Sequence, residues 1–320
     1  MSKRYLALDL GAESGRAMLA QLAHHKLELA EMHRFSNIPV RLPAGLYWDT
    51  LRLFHEICEG VRAASRHADE LDGIGVDTWG VDFGLLSANG RLLDNPRHYR
   101  DGRTTGITKQ VFAQVPRADV FRQTGIQFME INSLYQLYAI QQDSPELLDV
   151  AANLLFMPDL FNFFLTGTCV SERTIASTSQ FYDPVRRCFA TDMLRRLGIH
   201  AGFLGELVDP GAELGTVLPQ IAEHCGLKHE TPVLAVGSHD TASAVAAVPA
   251  LRESEWCFIS SGTWSLMGVE LDEPLIDDAS LEANYTNEVG VGNRIRFLKN
   301  IPGLWVLQEC RRAWNRQGLE

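Results

Sequence analysis

The sequence predicts an α/β fold in two units, and three observations carry that expectation. The order strand, strand, strand, helix occurs twice, once at each end of the chain. Each copy opens on an apolar strand, a Gly/Ser turn and a returning apolar strand, in 6-LALDLGAESGRAMLAQL-22 and again in 256-WCFISSGTWSLMGVEL-271. Between the copies, strand-like runs at 73–86 and 231–237 flank a mainly helical stretch from 105 to 165, the mixed pattern of sheets covered by helices.

Taken in order, 4-RYLALDL-10 reads as a buried strand closing on Asp9, and GAESG is a glycine-bounded turn. Residues 16–23 return as a second strand and 27–35 form a third. Residues 50–71 have helical periodicity, with Leu51, Phe54, Ile57, Val61 and Ala64 on one face. The run 73-GIGVDTWGVDFGLL-86 reads as strand, turn and strand, followed by the hairpin-type connection SANG. Pro145, Pro158 and Gly167 punctuate the helical middle. Residues 231–237 form a buried strand and 241–248 a short helix of small residues. A third strand of the second copy falls at 294–300, and a helix follows at 304–318. The expected units are residues 1–249 and 250–320.

Composition narrows the function. The chain has 320 residues, 46% hydrophobic and 22% charged, an ordinary globular balance with room for two cores. A net charge of −11 argues against nucleic acid as the main partner, although backbone N–H groups can still hold phosphates. No apolar run is long enough to span a bilayer, and the start MSKRYLALDLG lacks the features of a signal peptide. The six cysteines are scattered without a C-x-x-C pair, which points to a reducing cytoplasm rather than a disulfide framework or a metal site.

The chemistry concentrates in 233-VLAVGSHDTASAVAAV-248, an apolar segment with His239 and Asp240 at its centre. Asp240 reads either as the cap of a helix beginning near Thr241 or as a base facing a ligand, and spacing alone favours the cap. Asp9 ends a buried strand beside a turn, where an aspartate serves as a turn cap or as a partner of a hard cation. Two facing strand–turn–strand loops with exposed N–H groups could grip the two sides of a polyphosphate, and each alone is an ordinary tight hairpin. Trp79 and Phe83 read as core aromatics, and Gly80 permits close approach of a ligand.

Six segments together resemble the FGGY carbohydrate kinases: DLGAESGR at 9–16, GVDTWGVDFGLL at 75–86, YRDGRT at 99–104, GSHDTAS at 237–243, SSGTWSLMG at 260–268 and LKNIPGLWVLQ at 298–308. They occur in the family's order. The resemblance implies an actin-like fold of ribonuclease-H-like domains, the first complete, with sugar deep in the cleft between them and ATP across the two hairpin loops. It implies ATP-dependent phosphorylation of a sugar, L-rhamnulose first and L-fuculose or xylulose as alternatives, with Mg²⁺. By the same resemblance Asp240 is the catalytic base, and Gly80, His239, Thr241 and Asn300 join it at the sugar. Ala12, Glu13, Ser14, Gly15, Arg16, Thr263 and Gln308 contact the nucleotide, and Asp9 orients Mg²⁺ through water. Arg100, Asp101 and Arg103 approach the substrate, with Asp77 and Asp82 as structural neighbours.

The second unit is short of the family pattern. It reads as three strands and one helix, and the Gly-rich segment that packs on adenine in the family has no counterpart. The strand at 256–262 is then expected to be an open apolar edge that exposes the chain to self-association. The expectation is weak nucleotide binding and little turnover by this chain alone, or a sugar-binding remnant without catalysis.

Overall fold

The computed structural model describes residues 2–251 and 255–318. Alternating apolar residues make β1 (Lys3–Leu10) a central strand, with Leu6, Leu8 and Leu10 at most 1% exposed. A tight turn, closed by the Gly11 N–H donating to the Ser14 carbonyl at 2.9 Å, leads into β2 (Ser14–Ala23), and β3 (Lys26–Ser36) completes an antiparallel meander.

Helix α1 (Thr50–Ser65) covers this sheet, its start capped by the Asp49 carboxylate accepting from the Arg52 N–H. Its buried stripe is Leu53, Ile57, Val61 and Ala64. The expected face was displaced in part: Leu51 is 67% exposed and Phe54 only half-buried. The helix also stops at Ser65, short of the expected residue 71.

Strand β4 (Gly73–Thr78) pairs parallel to β1. The expected return strand exists as β5 (Phe83–Leu86), but it leaves the β4 sheet and pairs with β6 (Asn153–Phe156), a strand inside the segment expected to be mainly helical. Helix α2 (Met157–Thr166) follows β6 directly, and the one-turn α3 (Arg173–Ala176) lies beyond it. Strands β7 (Glu213–Thr216) and β8 (Pro232–Leu234) finish the first sheet in the order β7-β8-β4-β1-β2-β3. After β8 the chain runs into the seven-residue helix α4 (Asp240–Ala246), which starts one residue earlier than the sequence indicated.

The second sheet contains four strands where three were expected. β9 (Phe258–Ser261), β10 (Trp264–Leu271), β11 (Thr286–Val289) and β12 (Ile295–Pro302) lie in the order β9-β10-β12-β11, and α5 (Trp305–Arg316) follows. The unread strand is β11, whose letters Thr-Asn-Glu-Val do not look like a strand, although all four residues are buried. In the first sheet β1 has neighbours on both sides. Its counterpart β9 pairs only with β10 among the described residues, and Ile259 on it is 62% exposed.

β11 and β12 dock onto the first unit through backbone groups. The Asn287 N–H donates to the Gly125 carbonyl at 2.9 Å, the Val289 N–H to the Ser177 hydroxyl at 2.9 Å, and the Asn300 N–H to the Gln127 side-chain carbonyl at 3.0 Å. The Asn287 side chain also donates to the Gly125 carbonyl at 3.0 Å, and together these bonds hold the second sheet against the first unit. Among the described residues no helix is long and apolar enough to cross a membrane.

Candidate active site

Three neighbouring parallel strands deliver three carboxylates to one place. Asp9 ends β1 in register with Asp77 of β4, and Thr78 of β4 bridges to His239 beyond β8, its N–H donating to the Ser238 carbonyl at 2.9 Å. Asp240 follows immediately. The carboxyl ends of parallel strands are where an open α/β sheet exposes its crevice.

The three acids differ in environment. Asp9 accepts from the Arg16 guanidinium, its register partner on β2, at 2.8 Å. Burial pushes Asp77 well above the ordinary carboxylate range, and the charges of Asp9 and Asp240 push it further. Burial also raises Asp240, while His239 and the bonds from Thr241 pull the other way. Asp240 Oδ1 accepts from the Thr241 N–H at 2.6 Å and the Thr241 hydroxyl at 3.1 Å. Its exposed portion faces a cavity of about 570 Å³, ample for a small polar ligand.

The backbone that presents His239 and Asp240 is held from behind. Glu172 is buried, accepts from the Thr174 and Ile175 N–H groups of α3 and takes the Ser238 N–H at 3.2 Å. The Thr174 hydroxyl accepts the His239 N–H at 3.2 Å. Burial raises the Glu172 pKa to about 7 against the pull of these donors. His239 itself is 7% exposed, with Nε2 at 3.5 Å from Asp240 Oδ1. Gly80 lies across from that nitrogen: a Cβ there would sit 3.3 Å from both His239 Nε2 and Thr178.

The opposite wall belongs to the second sheet and the two hairpin loops. Thr286, Glu288 and Asn300 line the cavity from β11 and β12, and Ser260 to Trp264 line it from the β9–β10 turn. Gln308 closes the α5 side with its side-chain oxygen buried and unpaired. Glu13, in the first hairpin, receives Arg312 of α5 at 2.6 and 2.7 Å, an ion pair across the cleft mouth.

The cavity thus gathers Asp9, Ala12, Glu13, Ser14, Arg16, Gly80, His239, Asp240, Thr241, Thr263, Asn300 and Gln308. Gly15 is not among its lining residues. A Cβ at Gly15 would lie 2.2 Å from the Phe35 ring, so this glycine serves packing behind the loop. Arg100, Asp101 and Arg103, expected to approach the substrate, are not among the residues that line the cavity. Asp101 caps a short turn and accepts the Leu46 N–H at 2.7 Å, while Arg103 donates to Gln136 at 2.6 Å. The Arg100 guanidinium lies 4.6 Å from the Trp305 ring and 5.6 Å from Trp264, joining the two units.

Asp82 is a structural neighbour of the site. It accepts from Trp48 at 2.6 Å, Trp79 at 3.0 Å, Gln136 at 2.8 Å and the Tyr99 N–H at 3.2 Å, and burial lifts its pKa to about 6 despite them. Asp82→Ala is expected to cost about 3 kcal/mol or more in urea unfolding, since it strands several buried donors at once. A loss below about 1 kcal/mol would show that these donors find other acceptors.

Glu288, Arg296 and Gln127 were not anticipated. Arg296 shares one face of β12 with the buried Leu298 and the cavity-lining Asn300. A charge at an inward-facing strand position was the available signal.

Comparison with known proteins agrees with this geometry. Residues 4–247 match the N-terminal domain of the FGGY family of carbohydrate kinases, and residues 257–320 match its C-terminal domain. A rhamnulokinase of Bacteroides thetaiotaomicron is 42% identical over 314 residues, covering 98% of this chain and 64% of the relative. One from Klebsiella pneumoniae is 42% identical over 323 residues, covering 100% of this chain and 65% of the relative. The chain therefore spans about two thirds of the length of these relatives. In fold it is similar to a ligand-bound xylulose kinase of Lactobacillus acidophilus (TM-score 0.81, 17% identity, 93% of this chain and 60% of that one). It is similar too to Plasmodium falciparum glycerol kinase with ADP (TM-score 0.80, 16% identity, 96% and 63%). With both domain matches in order along the chain and the cleft between them, the chain belongs to the FGGY family of carbohydrate kinases.

Proposed function

We propose that the chain carries the sugar site and the catalytic base of an ATP-dependent kinase acting on L-rhamnulose, giving ADP and L-rhamnulose 1-phosphate. The observation that carries this reading is Asp240: a carboxylate raised by burial, facing the cavity between the two hairpin loops. The choice of sugar is supported by the rhamnulokinase relatives.

A sugar hydroxyl is a weak nucleophile. In this reading it donates a hydrogen bond to Asp240, and its oxygen attacks the γ-phosphorus as the bond to the ADP oxygen breaks. The proton passes to the Asp240 carboxylate, whose raised pKa brings it closer to the working range of a general base. His239, Thr241 and Asn300 hold the other hydroxyls, and Gly80 leaves the space that the sugar ring occupies. Backbone N–H groups of Ala12 to Ser14, with Arg16, Thr263 and Gln308, receive the nucleotide phosphates.

Among the described residues no group of three or more His, Cys, Asp or Glu side chains could hold a metal unaided. Asp9 and Asp77 beside it fit an outer-shell role, orienting a hydrated divalent cation whose remaining ligands would come from phosphate. Such a Mg²⁺ would neutralise phosphate charge.

Gly80→Ala is expected to raise the dissociation constant for the sugar about tenfold, or about 1.4 kcal/mol. Calorimetric titration checks this, and unaltered sugar affinity would remove Gly80 from the site. The reading as a whole is tested by ADP release over a panel of ketoses alongside sugar titration. L-rhamnulose-dependent ADP release supports the kinase, sugar binding without turnover supports a sugar-binding chain instead, and neither would overturn both.

A further inference from the structure

The two ring nitrogens of His239 face different partners: Nε2 lies toward Asp240 and Gly80, and Nδ1 faces a buried ion pair. Arg296 is fully buried, and Glu288, directly opposite it across β11 and β12, is 4% exposed. The Arg296 guanidinium donates twice to the Val289 carbonyl, at 3.1 and 3.3 Å, and the same Nη2 lies 3.0 Å from His239 Nδ1 and 3.2 Å from Glu288 Oε2. Glu288 Oε2 is itself 3.3 Å from Nδ1, but it makes no hydrogen bond of good geometry.

A guanidinium is always protonated and can only donate. An imidazole nitrogen that accepts from it must present its lone pair. The ring's single proton then resides on Nε2, the nitrogen that faces Asp240 and Gly80. A proton on Nδ1 would place N–H against N–H at 3.0 Å.

We propose that Arg296, braced by Glu288, is a positioning residue that fixes His239 as the neutral Nε2–H tautomer. His239 is then a dedicated donor beside Asp240, a dedicated acceptor. The pair reads two hydroxyls of one ligand in opposite senses: one oxygen accepts from His239 while its neighbour donates to Asp240. Because Arg296 and Glu288 belong to the second unit and His239 to the first, the donor is set correctly only when β11 and β12 are docked. The consequence for a polyhydroxylated ligand rests on the sugar reading above; the tautomer does not.

The test is ¹⁵N NMR of the histidine-labelled chain, with the His239 signals assigned by their loss in His239→Gln. The expected result at neutral pH is a protonated Nε2 and a bare Nδ1. A proton on Nδ1, or on both nitrogens, would overturn the proposal. The double variant Arg296→Met/Glu288→Gln removes both buried charges together, which spares the fold an unpaired charge. In it His239 is expected to lose its single tautomer, and affinity for L-rhamnulose is expected to fall about tenfold, the loss of one oriented hydrogen bond. An unchanged His239 spectrum in the folded double variant would refute the role of Arg296. If the wild type shows the Nε2–H tautomer and binds no ketose, the sugar reading falls and the positioning role stands.

Discussion

Arg296→Met is expected to lose about 3–5 kcal/mol of stability, because it leaves Glu288 buried without its cation. Arg296 is fully buried and Glu288 nearly so, and the pair bridges the second sheet to His239 of the first unit. Replacing both by apolar residues, as in Arg296→Met/Glu288→Leu, is expected to recover most of the loss. Urea unfolding of the three proteins measures both effects. If the single variant lost less than about 1 kcal/mol, the pair would not be holding the sheet.

The pH dependence gives this expectation a second signature. Burial pushes the Glu288 carboxyl up, but it is held below its ordinary value, the charge of Arg296 leading the opposing pull. A depressed folded pKa means stability that is fully present above the unfolded value of about 4.3 and lost as pH falls through the lower folded value. In Arg296→Met the sign reverses, since an unpaired buried carboxyl binds its proton more tightly folded than unfolded. The stability gap between wild type and variant is therefore expected to narrow on acidification. A gap independent of pH would contradict the assignment.

Asp240→Asn is expected to lower turnover by about 10²–10⁴-fold while leaving the Kd for sugar within a few-fold. The amide keeps the side chain's shape and can still hydrogen-bond to a hydroxyl, but it cannot take up the proton. Coupled ADP release and sugar titration on the same preparations separate the two effects. Normal turnover in this variant would remove Asp240 as the base. A loss of sugar affinity as large as the loss of rate would make it a binding group.

The strands that carry the chemistry were legible because their apolar alternation ends abruptly in glycine turns, at Leu10–Gly11 and again at Ser261–Gly262. The placement of His239 and Asp240 was legible because a charged pair in an otherwise apolar segment needs a polar cavity to face. The strand β11 and the support behind His239 escaped for one cause. Backbone N–H groups of β11 find acceptors in the other unit: Asn287 at the Gly125 carbonyl and Val289 at the Ser177 hydroxyl. No local pattern reports such partners. Without β11, the register of Glu288 against Arg296 could not be drawn, so the support behind His239 was invisible too. The face of α1 was misjudged because Leu51 and Leu53 are both apolar and only packing selects between them. At Arg100, Asp101 and Arg103 the letters did not show the turn and ring contacts these charges make.

The central claim is that the cavity before Asp240 brings a sugar hydroxyl and a nucleotide phosphate together. It is tested most directly by ³¹P NMR of the chain with ATP, Mg²⁺ and L-rhamnulose. The account predicts that ADP forms, slowly for this chain alone, together with a sugar phosphate monoester in equal amount, and that neither accumulates at a comparable rate with Asp240→Asn. ADP accompanied by inorganic phosphate, with the sugar unchanged, would contradict it.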